Sequence, residues 1–281
     1  MNTEQEFMIQ QTDPYQEGVN LGQINQVPCL QYPQLVRQDR LVHAVFTRKG
    51  GVSKTPYDTL NVSFAGADRP EYVRKNLQII RDAIGVKDLV FLNQVHGREI
   101  LVLNELDFDG FREPANADAM ITDIPQVALM VKQADCQSVL LFDPVKGVIA
   151  NVHCGWRGNV FNILKSVVEK MTSDFGCFAT DLAAAIGPSL GPCCSEFVDY
   201  EEIFPEDFRR FMTSKAYFNL WEISRYQLLE AGLINENIEV AGICTRCSSD
   251  MFYSYRGEGE TGRFATVIML KGGEPSNGDS F

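Results

Sequence analysis

Residues 127–153 read VALMVKQADCQSVLLFDPVKGVIANVH, and three short runs of Val, Ile and Leu alternate there with polar and turn-forming residues. The runs Val127–Val131, Val139–Phe142 and Val148–Val152 are shorter than an ordinary helix and are typical of buried strands. No helical pattern separates them. The segment therefore lacks the strand–helix–strand crossovers of a doubly wound fold.

The same patterns extend in both directions along the chain. Further strands are predicted at Leu41–Phe46, Leu89–Val95, Glu99–Leu103, Leu182–Ile186, Ile238–Ile243 and Phe264–Leu270. Helices are predicted at Pro70–Ile84 and Asn159–Met171, where apolar residues recur on one face, and from Asn219, where Glu222 completes a capping-box-like start. Many strands with few crossovers predict the α+β class, with layered mixed β-sheets flanked by helices.

The domain organisation follows from composition along the chain. Residues 1–25 are rich in Gln and lack periodicity, and residues 272–281 are similar, so both ends are predicted to be flexible tails. Between them no linker, repeat or charge block divides the chain. We therefore predict a single catalytic domain over residues 26–271.

Composition excludes several classes of protein. The net charge of −12 argues against a nucleic-acid partner, which would require a basic face, although a small anion held by a few arginines remains compatible. No apolar run approaches the length of about 20 residues that a membrane helix needs, and the N-terminus lacks the pattern of a secretory signal. Eight cysteines in 281 residues are too few for a disulfide scaffold, so we expect reduced thiols and a cytoplasmic protein.

Three residues at strand ends are candidates for chemistry: His96 in LNQVHG, Cys136 in QADCQS and His153 in NVHCGWRG. Two imidazoles and one thiolate would form a three-ligand zinc site with an open fourth position, the arrangement of catalytic zinc. A nucleophilic Cys136 paired with either histidine is equally compatible with these residue types. The spacing alone does not separate the two hypotheses.

Arginines in glycine-rich turns form a second set of candidates. Arg48 follows the first predicted strand, and Arg157 begins a helix, where backbone N–H groups also favour anions. Arg246, Arg256 and Arg263 lie in a later turn-rich segment. Planar guanidinium groups suit phosphate or carboxylate.

Two cysteine pairs are interpreted as structural or incidental. Cys244 and Cys247 form a CxxC, and Cys193 and Cys194 are adjacent, but the two pairs do not have the spacing of a zinc ribbon. The glycine-rich segment 184–191 lacks the Lys and Ser/Thr of a P-loop, so it is not interpreted as a nucleotide-phosphate loop.

Seven blocks together resemble one known family, in the order in which that family has them. They are FTRKGGVSKTPYDTLNVS, LNQVHG, ADAMIT, QADCQSVLLFDP, VIANVHCGWRGNV, AAIGPSLGPCCSEF and CTRCSSDMFYSYRGEGETGRFA. The family is the YfiH-type purine nucleoside phosphorylase family, formerly called the laccase-domain or multicopper polyphenol oxidase family. The resemblance implies a fold of the YfiH type, which is similar to that of cysteine-dependent deamidase toxins.

The resemblance also implies roles for individual residues. His96, Cys136 and His153 match the family's catalytic zinc ligands. Arg48 and Arg157 match arginines of the surrounding pocket, and Asn93 and Gln94 are assigned with them to substrate or phosphate binding. The chain departs from the family at Cys154, where alanine is usual, and at Ser138, where proline is usual; neither change removes a ligand.

The activity implied is zinc-dependent phosphorolysis of purine nucleosides, with adenosine deamination and methylthioadenosine phosphorolysis as further activities of the family. Two alternatives stay open: a cysteine-nucleophile hydrolase that edits peptidoglycan precursors, and a non-enzymatic module whose metal is closed by a fourth ligand. Cys154 is the candidate for that ligand, but in a strand it would point away from His153. Copper at the same residues could support weak polyphenol oxidation in vitro, whereas three histidines cannot also build a multinuclear copper cluster.

Overall fold

The computed structural model describes residues 19–103, 111–112 and 116–272. Strands dominate this part of the chain, as the apolar runs predicted. They are β1 (Asn20–Ile24), β2 (Val27–Gln31), β3 (Leu41–Phe46), β4 (Asp88–Phe91), β5 (Ile100–Leu103), β6 (Phe111–Arg112), β7 (Ala119–Thr122), β8 (Val127–Gln133), β9 (Gln137–Asp143), β10 (Val148–Cys154), β11 (Ala183–Ile186), β12 (Met212–Ser214), β13 (Tyr217–Phe218), β14 (Ile238–Val240) and β15 (Phe264–Leu270).

The helices of the described residues are α1 (Pro33–Val36), α2 (Pro70–Ile84), α3 (Trp156–Phe161), α4 (Ile163–Phe175), α5 (Tyr200–Ile203), α6 (Leu220–Glu230) and α7 (Tyr255–Glu258). Helix α2 has the predicted bounds, and Asn219 caps α6 by accepting a hydrogen bond from the backbone N–H of Glu222. The predicted helix Asn159–Met171 is instead divided at Asn162, whose φ of 53° is left-handed and separates α3 from α4. None of these helices has the length and apolar composition that a membrane crossing requires.

Two large mixed sheets form the centre of the molecule. One has the order β1-β2-β3-β15-β8-β4-β6 and the other β14-β11-β9-β10-β7-β5. Most pairs are antiparallel, but β4 pairs in parallel with β8 and β6, β5 with β7, and β11 with β14. The predicted α+β class with layered mixed sheets is therefore confirmed.

Three apolar clusters of the described residues pack on the faces of the two sheets. Leu129 and Ile268 of the first sheet and Leu140 and Ile149 of the second belong to one cluster between the sheets. The outer face of the first sheet packs against α2, and that of the second packs against α4 and α6. Asn151 joins the sheets, since its amide donates to the Leu129 and Thr266 carbonyls at 3.0 and 2.9 Å.

The N-terminal boundary differs from the sequence prediction. Residues 20–24, assigned to a flexible tail, form β1, which pairs with β2 along its whole length. Four of its five residues are exposed, so this strand is held by backbone hydrogen bonds to β2 and not by burial of an apolar face. For the same reason its residues show no alternating apolar pattern from which a strand could be predicted. Residues 1–18 and 273–281, which make up most of the predicted tails, lie outside the described residues.

His43 on β3 is a core residue. It is 1% exposed, and its Nε2 accepts the backbone N–H of Tyr32 at 2.8 Å, which requires a neutral ring nitrogen. Burial lowers the pKa of His43 from 6.5 to about 4. The unfolded chain therefore binds a proton at this residue over a range of pH in which the folded chain does not.

We expect the free energy of unfolding to fall as the pH is lowered from about 6.5 to about 4, by up to about 3 kcal/mol from His43 alone. Urea unfolding of the wild type and of His43→Gln at pH 7 and pH 4.5 measures the difference. The wild type should lose more stability than the variant over this interval. Equal losses in the two proteins would contradict the assignment.

Candidate active site and metal centre

Antiparallel pairing of β9 and β10 brings Cys136 and His153 together. Cys136 directly precedes β9, and His153 on β10 faces Ser138 of β9 in the register of the two strands. Side chains alternate along β10, so His153 lies on the opposite face from Cys154. Cys154 packs into the cluster beside α4, and the predicted direction of its side chain is confirmed.

Asp118 fixes His96 beside this pair. His96 follows β4 and has a left-handed φ of 58°, a conformation that costs a non-glycine residue energy unless its surroundings hold it. The buried carboxylate of Asp118 accepts the backbone N–H groups of His96 and Gly97 at 2.9 and 2.7 Å. The same carboxylate lies 2.8 Å from Nδ1 of His153, so one residue positions both histidines.

These contacts leave three ligand atoms around one point. The ligand nitrogens of His96 and His153 and the sulfur of Cys136 lie within 4.8 Å of one another. A carboxylate bound to Nδ1 of His153 leaves Nε2 for the metal, as in carboxylate–histidine–zinc arrangements. A Cβ at position 155 would lie 2.9 Å from the Cys136 sulfur, so Gly155 is needed for this close approach. The donor set and its support fit a zinc ion with an open position.

The charges of the three groups depend on one another. Burial raises the pKa of the Cys136 thiol, but the attraction of His153 and hydrogen bonds from both histidines outweigh burial and lower it. Burial lowers the pKa of His153, but the Cys136 thiolate and Asp118 outweigh burial and raise it. The site therefore favours a thiolate, which is the form that binds metal or acts as a nucleophile.

A cavity of about 780 Å³ opens at this centre. Its volume falls within the range of small-molecule sites. Aromatic side chains on its wall are Trp156, Phe197 and Tyr255, and the cationic side chains are Lys132, Arg256 and Arg263. Burial lowers the pKa of Arg263, and the negative charges of Cys136 and Asp135 oppose this change.

The two arginines assigned from the sequence lie elsewhere. Arg48 forms an ion pair with Glu258 at 2.8 Å, donates to the Ser249 carbonyl and stacks on Tyr253. Arg157 is exposed and stacks on Trp156. Neither is among the described residues that line the cavity. Arg48 is held by partners away from the cavity, and Arg157 stacks on a ring of the cavity wall, so the assignment of both to phosphate binding stays a prediction.

Asn93 and Gln94 do line the cavity, and their amides have protein partners. Asn93 donates to the Asn116 side chain at 2.6 Å. Gln94 donates to the carbonyl of Lys132 and accepts its backbone N–H, at 2.7 and 2.9 Å. Gln94 therefore fixes the strand that carries Lys132, and its assignment to substrate binding stays a prediction.

Asp135 has a positioning role. Its φ of 84° is left-handed, and its carboxylate accepts hydrogen bonds from Thr245, Ser254 and the backbone N–H of Arg256, at 2.7, 2.7 and 2.6 Å. These contacts join the loop of Cys136 to the start of α7. Arg256 and Arg263, which the sequence analysis names as anion-binding candidates without assigning them to the site, line the cavity.

The two cysteine pairs, interpreted from the sequence as structural or incidental, meet in space. The sulfur atoms of Cys193, Cys194, Cys244 and Cys247 lie within 4.8 Å of one another. The two pairs therefore form one group in space, although their spacing along the chain is not that of a zinc ribbon. The parallel pairing of β11 with β14 continues into the following loops, and this long-range contact is not encoded in local spacing.

Comparison with known proteins gave consistent matches over most of the chain. The family described as multi-copper polyphenol oxidoreductase laccase matches residues 42–271. A purine nucleoside phosphorylase of Bacteroides thetaiotaomicron is 31% identical over 86% of this chain and 96% of its own length, and one of Deinococcus radiodurans is 35% identical over 90% and 97%. The crystal structure of the Bacillus licheniformis hypothetical protein YfiH is similar with a TM-score of 0.79, at 28% identity over 86% of this chain and 96% of that one.

Proposed function

The chain belongs to the multi-copper polyphenol oxidoreductase laccase family, and on that basis we propose that it is a zinc-dependent purine nucleoside phosphorylase. Relatives that carry the name purine nucleoside phosphorylase match it over nearly their full length. The single observation that supports the proposal most is a His96–Cys136–His153 centre opening into a cavity lined by arginine and aromatic side chains. The resemblance found in the sequence is thereby confirmed at the level of the family.

Zinc would be held by His96, Cys136 and His153. The residues suit it because two imidazoles and one thiolate leave one position open, and because Asp118 fixes both histidines. When bound, zinc would act as a Lewis acid beside the reacting bond. The remaining histidine, His43, lies in the core, so the cavity has no further imidazole for a multinuclear copper cluster.

Phosphorolysis needs a site for inorganic phosphate next to the ribose. A phosphate oxygen bonds to the anomeric carbon, the bond from that carbon to the base breaks, and its electron pair leaves with the base, which takes up a proton. Arg263 and Arg256 on the cavity wall would bind and orient the phosphate dianion. Arg256 is held in place because its Nη1 donates to the Glu196 carbonyl at 2.9 Å.

The purine base would contact the apolar part of the cavity. The rings of Trp156, Phe197 and Tyr255 give flat surfaces on which a base can stack. Trp156 and Phe197 are packed edge to face, with their ring centroids 6.5 Å apart. We include adenosine, inosine, guanosine and methylthioadenosine among the proposed substrates. Adenosine deamination is a further proposed reaction of the same centre.

A cysteine nucleophile is the second candidate, and one observation favours it. Cys136, His153 and Asp118 form a chain in which Asp118 orients the imidazole and the imidazole lowers the pKa of the thiol. The same arrangement of nucleophile, base and orienting carboxylate is found in a Cys–His–Asp triad. Such an enzyme would hydrolyse an amide or ester, for example in a peptidoglycan precursor, and would not need His96 as a ligand.

The test is chromatographic detection of free purine base and inosine after incubation of the pure protein with adenosine. We expect base release that requires phosphate and stops after metal chelation, with recovery when zinc is added back. Release that survives chelation but stops in Cys136→Ala would favour the nucleophile. Absence of any purine turnover in zinc-loaded protein would overturn the proposed function.

A further inference from the structure

A group of four cysteines outside the cavity has the geometry of a second metal site. We propose that Cys193, Cys194, Cys244 and Cys247, hereafter the cysteine group, bind one structural zinc ion as four thiolates. The sulfur atoms of the group all lie within 4.8 Å of one another. The proposal goes beyond the proposed activity and does not depend on it, because none of these cysteines is a ligand at the other centre.

The distances between the sulfur atoms agree with a tetrahedral centre. Zinc–sulfur bonds of 2.3 Å at tetrahedral angles separate the sulfur atoms by about 3.8 Å. The Cys247 sulfur lies 3.6 Å from that of Cys193 and 3.6 Å from that of Cys194. A disulfide bond would join one pair at about 2.05 Å. Equal distances from Cys247 to two partners instead indicate a shared centre.

The fold brings the two cysteine pairs together through backbone contacts. Beyond the ends of β11 and β14, Ser189 and Cys244 form a parallel bridge, in which Ser189 donates to the Ile243 carbonyl at 3.1 Å and Thr245 donates to the Ser189 carbonyl at 3.0 Å. A Cβ on Gly191 would lie 2.9 Å from the Cβ of Cys244 and 2.8 Å from the Trp221 ring. Only glycine at this position allows the loop to come so close.

The surroundings suit a thiolate cluster at the protein surface. Cys194 and Cys244 are buried, whereas Cys193 and Cys247 are exposed, so zinc can enter from solvent and would then be covered on its inner side. Backbone N–H groups of Gly191 and Cys247 donate to the Cys244 sulfur, as outer contacts of zinc-bound thiolates do. Arg256 adds positive charge nearby, since its Nη1 lies 3.4 Å from the Cys194 carbonyl.

The set of ligands is typical of a closed site. Four cysteine ligands complete the coordination of zinc, so the ion stabilises structure and keeps no position for a substrate. Binding releases protons from the thiols and contributes directly to folding free energy. The loops so joined carry Leu190, Glu196 and Phe197, which line the cavity. Zinc in the cysteine group would therefore fix one wall of the proposed substrate site.

The decisive protein is Cys136→Ser, which removes the only thiolate of the other centre and leaves the cysteine group intact. Reduced, metal-free Cys136→Ser is loaded with Co²⁺, whose charge-transfer absorption grows with the number of bound thiolates. We expect an intense thiolate-to-cobalt band that zinc displaces at one ion per chain. Absence of this band would overturn the proposal, whether or not the protein has purine phosphorylase activity.

A second comparison identifies the ligands. Cys193→Ser/Cys247→Ser in the Cys136→Ser background should lose the band, and zinc should no longer raise its melting temperature. Cys177→Ala in the same background is the matched control, because Cys177 is a buried free cysteine outside the cysteine group, and it should keep both properties. If the double variant does not fold, the free thiols of freshly purified, unreduced wild-type protein are counted instead. A disulfide within the group, with no bound metal, would contradict the proposal.

Discussion

Replacing His96 with glutamine is expected to lower kcat/KM for phosphorolysis of adenosine by about 10³-fold or more. Loss of one of three ligands removes the zinc ion, and Lewis-acid stabilisation of several kcal/mol corresponds to a factor of this size. Steady-state kinetics with adenosine and phosphate measures the fall in rate, and metal analysis of the same protein measures the loss of zinc. Both should occur together.

The same replacement separates the two candidate functions. In a Cys136–His153–Asp118 triad, His153 is the base and His96 only helps to lower the pKa of the thiol, so His96→Gln would keep part of the activity while Cys136→Ser lost it. Val95→Ala is the matched control, because Val95 is the exposed neighbour of His96 and its side chain has no ligand atom. Full activity in Val95→Ala and His96→Gln alike would contradict the zinc mechanism.

Replacing Arg263 with alanine is expected to lower kcat by about 10²–10³-fold and to raise the KM for phosphate. Arg263 and Cys136 line the same cavity, and removal of one donor positioned for a reacting anion typically lowers kcat by a factor of this size. Arg263→Lys should recover part of the activity, since it keeps the charge but not the planar fork of donors. Kinetics at varied phosphate concentration separates the effect on binding from that on turnover.

Arg157→Ala is the matched control for this prediction. Arg157 is the arginine that the sequence motif favoured, yet it is exposed, stacks on Trp156 and is absent from the cavity lining. We expect kcat and the KM for phosphate to change less than twofold in this variant. A larger loss of activity in Arg157→Ala than in Arg263→Ala would indicate that Arg157, the residue assigned from the sequence, binds phosphate.

Local patterns were sufficient for most of the fold. Strands β3 and β15 and helix α2 have the predicted bounds, because apolar periodicity and Pro and Gly at the helix ends report the local conformation directly. Strand β1 was missed since its residues are exposed and carry no such signal. The break at Asn162 was missed for a related reason, because the apolar face of α4 continues the pattern of α3.

The sequence by itself determined the three metal-ligand candidates, since histidine and cysteine at strand ends followed by tight turns are rare enough to stand out. It also determined the fold class and the family. Only the tertiary structure decided that Arg263 and Arg256 face the cavity while Arg48 binds Glu258, and that Asp118 holds both histidines. It also brought Cys193 and Cys194 to Cys244 and Cys247. The physical reason is that residue type and periodicity describe neighbours along the chain, whereas these contacts depend on which strands pair and where distant loops meet.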